Sequence, residues 1–388
     1  MGKQPASPLW IAAFVLLGAC TSATGDASPS PSSGMPSTSP APSGQPGASG
    51  AAAFATPPDS PAGAPLPAGK CAARPACDAP LTAAGPARGW KHTQSKLTTR
   101  SGKSRHRGRD LFTMVGAPQW VIGKFAYGAI DKDLADEEVD VFLLRGCGPT
   151  WEKIGTFVTS DDKRPASLHA AVDGVEDRGG RIFVDLAKSP RPLEVGRHRI
   201  RMVVAGDGTG TDQFIEVLPA GAKIVVSDVD GTLTSSETAV WSDIAEQGAP
   251  TANPGAADLM KVLASHGHYL FYLTARPDWL TEKTREWFTL RGFPPGILHT
   301  TLLAQGAFGP TAAAFKVAEL EDLRRATGLI PIFAFGNMPS DVDTYATAKI
   351  DAASCYFYQL TGQLKGGVAH DSYPKLVPTF AAMPDACP

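Results

Sequence analysis

The chain has almost no net charge. Its 36 Lys and Arg nearly balance 38 Asp and Glu over 388 residues, for a formal charge of −2, so nothing pulls the whole molecule toward nucleic acid or anionic surfaces. Histidine is scarce, at 8, and cysteine scarcer, at 6. No Cys spacing resembles a zinc site, and with so few His nearby a catalytic thiol is not expected. Long hydrophobic runs are missing too, and no internal repeat is found. The apolar stretch Leu9 to Leu17 is too short for a stable membrane span. The acidic patch from Asp131 to Asp140 lacks the EF-hand spacing and its Gly at position six, and Lys132 interrupts it. A polar turn is expected there. Glycine and proline, at 40 and 34, are high for a globular protein, but their excess is concentrated near the start.

A chain of this length has room for two folded domains and more. Residues 1–20 read as a targeting segment, with Lys3 as its positive region and Leu9 to Leu17 as its apolar core. It closes in Leu17-Gly18-Ala19-Cys20, which resembles the bacterial lipobox. That resemblance implies Cys20 as a lipidated first residue and a protein tethered at the cell envelope. The implied side is the outer membrane or periplasm if there are two membranes, and the extracellular face otherwise. An ordinary signal peptide with an incidental Cys is the alternative. Residues 21–69 are nearly all Ala, Ser, Pro, Gly and Thr, with Asp26 and Asp59 as charges, and read as a disordered tether. Residues 70–109 form a basic lead-in, with seven Lys or Arg and no acid from Lys91 to Arg109. Such a run suits either a solvated approach to the first domain or contact with anionic lipid headgroups. The cysteines fit an oxidising compartment; the pairs expected are Cys71–Cys77 and Cys355–Cys387, leaving Cys147 over.

Residues 110–219 read as short strands separated by Pro, Gly and Asp clusters, as in a β-sandwich. The candidates are Trp120–Tyr127, Val139–Leu144, Ile154–Ser160, Arg181–Leu186, His198–Ala205 and Gln213–Leu218. No catalytic constellation falls among them.

Residues 220–388 carry the chemistry. Ile224 to Val226 form a β-branched run, as in a buried parallel strand, and it ends in Asp228-Val-Asp230-Gly231-Thr232. Two carboxylates at i and i+2 leave the strand on one side. Held that close they are costly unless they share a cation or a proton, and oxygen ligands suit Mg²⁺. Standing alone, the string would also fit a solvated turn. A helix over Ala256–His266 follows, then a second buried strand, Tyr269 to Thr274, leading into Ala-Arg276-Pro277. Open α/β sheets bind ligands at the carboxyl ends of their strands, which puts Thr274 beside Asp228. Taken alone, Thr274 also fits as the cap of a helix over Pro277–Arg291. Lys316 lies on an amphipathic helical stretch. A further strand, Ile330–Phe335, ends in Gly336-Asn337-Met-Pro-Ser-Asp341-Val-Asp343.

Four such strings in this order resemble motifs I to IV of the haloacid-dehalogenase (HAD) superfamily of phosphohydrolases. What the resemblance implies is an α/β, Rossmann-like domain with a parallel sheet. Asp228 would be the nucleophile and Asp230 the general acid and base. Thr274 and Lys316 would grip and neutralise the phosphoryl group, with Gly231, Thr232 and Arg276 beside it. Asp228, Asp230, Asn337 and Asp341 would hold Mg²⁺. Asp343 matches the spacing less well. About 40 residues separate motif I from II, and II from III, which leaves no room for a large cap domain and predicts an open site.

Within the superfamily, Asp-Val-Asp-Gly-Thr-Leu-Thr, Tyr-Leu-Thr-Ala-Arg-Pro, Phe-Lys-x-x-x-Leu-x-x-Leu and Gly-Asn-x-x-x-Asp-Val-x-x-Tyr are similar to the Lipin/Ned/Smp homology region, over about residues 220–375. That region occurs in lipin phosphatidate phosphatases and in retinal-degeneration-B-type phosphatidylinositol transfer proteins. The resemblance implies either a Mg²⁺-dependent phosphatase acting on phosphatidic acid or a related phosphomonoester, or a non-catalytic module that binds such lipids. Both Asp228 and Asp230 being present favours the enzyme. Ser235, Ser236, Glu237, Trp279 and Trp287 are candidate pocket residues.

Overall fold

The computed structural model describes residues 69–82, 84–235 and 250–387. The targeting segment with Cys20, the tether up to residue 68, and Ser236 and Glu237 lie outside the described residues.

The six expected strands of the first domain are present, with ends shifted by a few residues. They are β3 (Trp120–Lys124), β6 (Glu138–Leu144), β7 (Trp151–Val158), β8 (Arg181–Asp185), β9 (Gly196–Val204) and β10 (Gly210–Leu218). Two short strands, β1 (Arg107–Gly108) and β2 (Leu111–Met114), precede them, and a small hairpin pairs β4 (Ala126–Tyr127) with β5 (Lys132–Asp133). They form a three-stranded sheet in the order β1-β3-β8 and a five-stranded sheet in the order β2-β10-β9-β6-β7. In β9, buried Ile200, Met202 and Val204 alternate with half-buried Arg199 and Arg201, the period-two pattern of a strand with one face on a core. These residues meet Val121, Phe125, Val141, Leu143, Ile215 and Val217 in one apolar cluster.

Residues 70–109 are built into this body. Helix α1 (Thr93–Thr99) is held at its start by Glu137, whose carboxylate accepts from the His92 amide at 2.9 Å and the Ser95 hydroxyl at 2.6 Å. The acidic patch is thus a set of placed charges. Asp131 pairs with Arg107, Asp133 with Lys124, and Asp140 with Arg88 and Lys153.

The second domain is a six-stranded, wholly parallel sheet in the order β13-β12-β11-β14-β15-β16. Its strands are β11 (Ile224–Ser227), β12 (Tyr269–Pro277), β13 (Ile297–Thr301), β14 (Phe333–Gly336), β15 (Cys355–Tyr358) and β16 (Val368–His370). Strand β11 is inside the sheet and buried throughout, as its β-branched run requires. Val225 faces α2 (Ala256–Ser265), α3 (Thr281–Leu290) and α6 (Tyr373–Ala381). Ile224 and Val226 face α4 (Gly309–Thr327), α5 (Pro339–Thr347) and Phe112 of the first domain. The fold is mixed α/β. The expected fourth strand begins only at Phe333, because Pro331 lacks an amide to donate to a neighbour. The interval between motifs II and III is filled by α3, β13 and the entry to α4. The interval between I and II includes residues 236–249, outside the described residues.

The disulfide expectation is corrected. Cys71 pairs with Cys387 and Cys77 with Cys147, while Cys355 is a buried free thiol. Spacing along the chain does not show that residue 71 sits against the start of the parallel sheet, where the Cys71 amide bonds Ser265 O at 3.2 Å. The C-terminus arrives at the same place, where the Ala386 amide bonds His266 O at 2.7 Å.

Candidate functional site

Strand β11 ends at Ser227, and the Asp228 amide still donates to Phe335 O of β14 at 2.9 Å. Asp228 therefore sits at the carboxyl end of a central strand with its backbone fixed. Gly231 then turns the chain with φ of 74°, a conformation that a side chain would strain. The turn is held from outside by two residues that sequence reasoning did not single out. Asn253 donates its side-chain amide to Thr232 O at 2.7 Å and Thr234 O at 3.0 Å, and the Tyr373 hydroxyl donates to Thr232 O at 2.9 Å. No local signal marks either one, since their partners lie 21 and 141 residues away in sequence.

Side chains that follow β11 and β14 meet one from α4 here. Lys316 Nζ on α4 donates to Asp228 Oδ1 at 2.6 Å and to Asp341 Oδ1 at 2.7 Å. The other oxygen of Asp341 accepts the amides of Asn337 and Met338, both at 3.0 Å, which caps α5. Thr232 Oγ1 lies 2.9 Å from Asp228 Oδ2 and 2.8 Å from Asn337 Oδ1. Its single hydrogen can serve only one of them at a time. Asp228, Thr232, Lys316, Asn337 and Asp341 are all buried. Gly336 permits the arrangement, because a Cβ there would meet Asp341 Cβ at 2.6 Å.

Asp230 belongs to a second group. Arg276, fully buried, forks onto it with Nη2 at 2.7 Å and Nε at 3.1 Å from Oδ1. Thr274 Oγ1 donates to Asp230 Oδ2 at 2.8 Å. Thr274 and Arg276 were read from sequence as phosphate contacts; in the structure both position Asp230, and Arg276 is braced in turn by Thr284 Oγ1 at 3.1 Å. Trp287 is core, while Trp279 lies on the surface with its indole N–H on Ala304 O at 2.8 Å. Asp343 pairs with Lys365 on the surface.

Electrostatics follow from the burial. Desolvation pushes the Asp228 carboxyl up; Lys316 pulls it down, and the neighbouring Asp341 and Asp230 push it up again, leaving it near about 7. Lys316 is held well above the usual lysine range, since the two carboxylates outweigh its own desolvation. Three carboxylates thus face one ammonium and one guanidinium, and apart from Lys316 the side chains around Asp228 offer oxygen. That set fits a hard divalent cation, with Asp228, Asn337 and Asp341 as its holders. The Asp230 carboxylate is turned to Arg276. Among the described residues no three His, Cys, Asp or Glu side chains converge as a ready-made cage.

Residues 225–359 match the family model of the PITM 1-3 LNS2 domain, and residues 104–171 match that of the PITM 1-3 beta-sandwich domain. To that extent the resemblance drawn from the motifs, and the sandwich before it, are borne out. Membrane-associated phosphatidylinositol transfer protein 3 of Mus musculus is 29% identical over 219 residues, covering 56% of this chain and 20% of the relative. Protein retinal degeneration B of Drosophila melanogaster is 26% identical over 288 residues, covering 73% and 21%. The chain thus spans about a fifth of the length of these relatives. Similar solved structures include D,D-heptose 1,7-bisphosphate phosphatase of B. bronchiseptica, complexed with magnesium and phosphate. It is 14% identical with a TM-score of 0.31, covering 40% of this chain and 97% of that one. A Thermotoga maritima protein described as a β-phosphoglucomutase has a TM-score of 0.29 at 14% identity, covering 40% of this chain and 97% of that one.

Proposed function

We propose that this protein is a Mg²⁺-dependent phosphomonoester hydrolase that acts through an aspartyl-phosphate, with phosphatidic acid or a related membrane phospholipid as substrate. The observation that carries the reading is the pairing at one strand end of two differently held carboxylates. Asp228 is gripped by Lys316, and Asp230, two residues on, is gripped by Arg276. A site that only bound phosphate would have no need to hold a second carboxylate beside it.

In this mechanism an Asp228 oxygen attacks phosphorus, and the bond from phosphorus to the lipid oxygen breaks. Asp230 delivers its proton to the departing alkoxide. Asp230 then takes a proton from water as the water oxygen attacks phosphorus. The bond to Asp228 breaks, and inorganic phosphate leaves. Lys316 offsets the negative charge gathered around Asp228 throughout. Arg276 and Thr274 hold Asp230 over the reacting atoms. Mg²⁺, when bound, would neutralise the phosphate oxygens. With no large cap between motifs II and III, the site would remain open to a bulky headgroup. Anchoring through Cys20 at the cell envelope would keep it near its substrate; radiolabelled palmitate incorporation that survives Cys20→Ser would reject the anchor.

A second reading, a non-catalytic lipid-binding module, is favoured by one feature. Both Asp230 oxygens already accept from Arg276 and Thr274, an arrangement that could serve to keep that carboxylate quiet. The test is phosphate release from phosphatidic acid in mixed micelles and from a soluble phosphomonoester, each with and without Mg²⁺. Mg²⁺-dependent release from micelles is expected. Release from the soluble ester alone would remove the lipid substrate. Mg²⁺-sensitive binding to phosphatidic-acid vesicles without any release would replace the enzyme by the binding module.

A further inference from the structure

No Asp, Glu, Lys or Arg occurs between Arg291 and Lys316, and the middle of that interval is the loop that follows β13 at the mouth of the site. The loop is tied there twice. The Ala307 amide bonds Ala275 O, between Thr274 and Arg276, at 2.9 Å, and Ala304 O accepts from Trp279. Leu302 and Leu303 at the front of the loop are 38% and 39% exposed. The guanidinium of Arg105 lies over the Trp279 ring at 4.4 Å, and its Nη1 donates to Ala129 O at 3.2 Å. That carbonyl precedes Ile130, which is 80% exposed in the turn between β4 and β5. Two apolar tips, one from each domain, therefore bracket a Trp–Arg pair.

The basic lead-in runs past the same place. Arg107 and Arg109 turn inward to buried acids, and Lys91 pairs with Glu138. Arg100 and Lys103 are exposed, and among the described residues no ion pair involves them or Arg105. An uncharged loop and an exposed isoleucine beside cations that face water suit an interface where apolar chains lie under negative headgroups. Exposed leucines scattered singly need no explanation; these are gathered at the opening of the site with the cations beside them.

We propose that Leu302, Leu303 and Ile130 dip into an anionic phospholipid bilayer while Arg100, Lys103 and Arg105 rest on its headgroups, so that the protein docks with its site mouth toward the membrane. This deepens the reading of a lipid-directed site, yet it rests on other residues, and its test does not need turnover. The full chain carrying Cys20→Ser, which removes the anchor, is sedimented with vesicles of phosphatidylcholine alone or mixed with phosphatidylglycerol. Neither lipid has a phosphomonoester for Asp228 to engage.

The parent is expected to bind the mixed vesicles. Leu302→Ser with Leu303→Ser weakens that binding by about tenfold or more, and Leu303→Trp tightens it, a gain that misfolding would not give. Arg100→Glu with Lys103→Glu weakens binding to mixed vesicles and leaves binding to phosphatidylcholine unchanged. Leu290→Ser, at the end of α3 far from the mouth and 63% exposed, changes nothing. The proposal is overturned if the parent binds neither vesicle or if the double leucine variant binds like the parent. It falls equally if Leu290→Ser loses as much, or if only the charge-reversed variant loses binding.

Discussion

Arg276 is fully buried and forks onto Asp230, so the proton carrier of the proposed mechanism is oriented by a residue that substrate need not touch. Removing the carrier by Asp230→Asn should lower phosphate release by about 10² to 10⁴-fold. Arg276→Lys keeps the charge but not the fork. It should lower kcat with little change in KM; a change in KM alone would mean that Arg276 serves binding. The raised Asp228 carboxyl makes a second prediction, of sign. A nucleophile must be ionised, so at low Mg²⁺ the rate should climb with pH through about 7. A bound cation favours the carboxylate, so saturating Mg²⁺ should move that limb to lower pH. A pH–rate profile unmoved by Mg²⁺ would remove Asp228 from the cation's neighbours. Asp228, Thr274 and Asn337 could be placed at one end of the sheet because each closes a β-branched or aromatic run, and strand ends are where such a sheet presents its chemistry, whereas Lys316 lies on a helix and was placed only by its order among the motifs. What each one touches was not legible. Thr274 and Arg276, expected on the phosphate, bond Asp230 in this structure, a contact that spacing along one strand does not reveal.

At the scale of elements, the strands with alternating or continuous apolar runs were readable, and three of the sheet's six were not. Strand β13 ends in His299, Thr300 and Thr301, and β16 is three residues with Val368 and Ala369 exposed, so neither shows a continuous apolar run. Such strands are fixed by their neighbours more than by propensity. The disulfides failed for a related reason, since a pairing is a fact of the fold and not of local spacing. Cys71–Cys387 closes a sequence separation of 316 residues, tying the segment before α1 to the end of the last helix. Replacing both by Ser should cost about 2–5 kcal/mol in urea unfolding, while leaving the site, at the other end of the strands, catalytically intact. Equal stability would mean that the hydrogen bonds around residues 69–71 and 385–387 suffice.

Over the whole molecule, the basic run that read as solvated turns out to be partly the seam between the two domains. Arg109 Nη2 lies 2.6 Å from Glu319 Oε2, which also meets His299 Nδ1 at 2.5 Å, and Asp110 pairs with Arg285 at 2.6 Å. A sequence shows such charges but not that their partners lie some two hundred residues on. Burial pushes Glu319 up, but Arg109 and His299 outweigh it and bring it down from 4.5 to about 2. A carboxyl lowered by folding stabilises the fold above its unfolded value and loses that contribution as pH falls. Between about pH 4.5 and 2 the seam should therefore lose about 3 kcal/mol. Glu319→Gln should cost about 2–3 kcal/mol at neutral pH by leaving Asp173, 3.3 Å from Nε, as the remaining counter-charge of Arg109, and should flatten the acid limb of stability against pH. An unchanged limb would place the acid sensitivity elsewhere.

The proposed role of Asp228 as nucleophile is checked by phosphate release from phosphatidic acid in mixed micelles by wild type and Asp228→Asn, each with and without Mg²⁺. Mg²⁺-dependent release is expected from the wild type and none above background from the variant, with both proteins equally folded. Release by Asp228→Asn at the wild-type rate would mean that Asp228 is not the nucleophile.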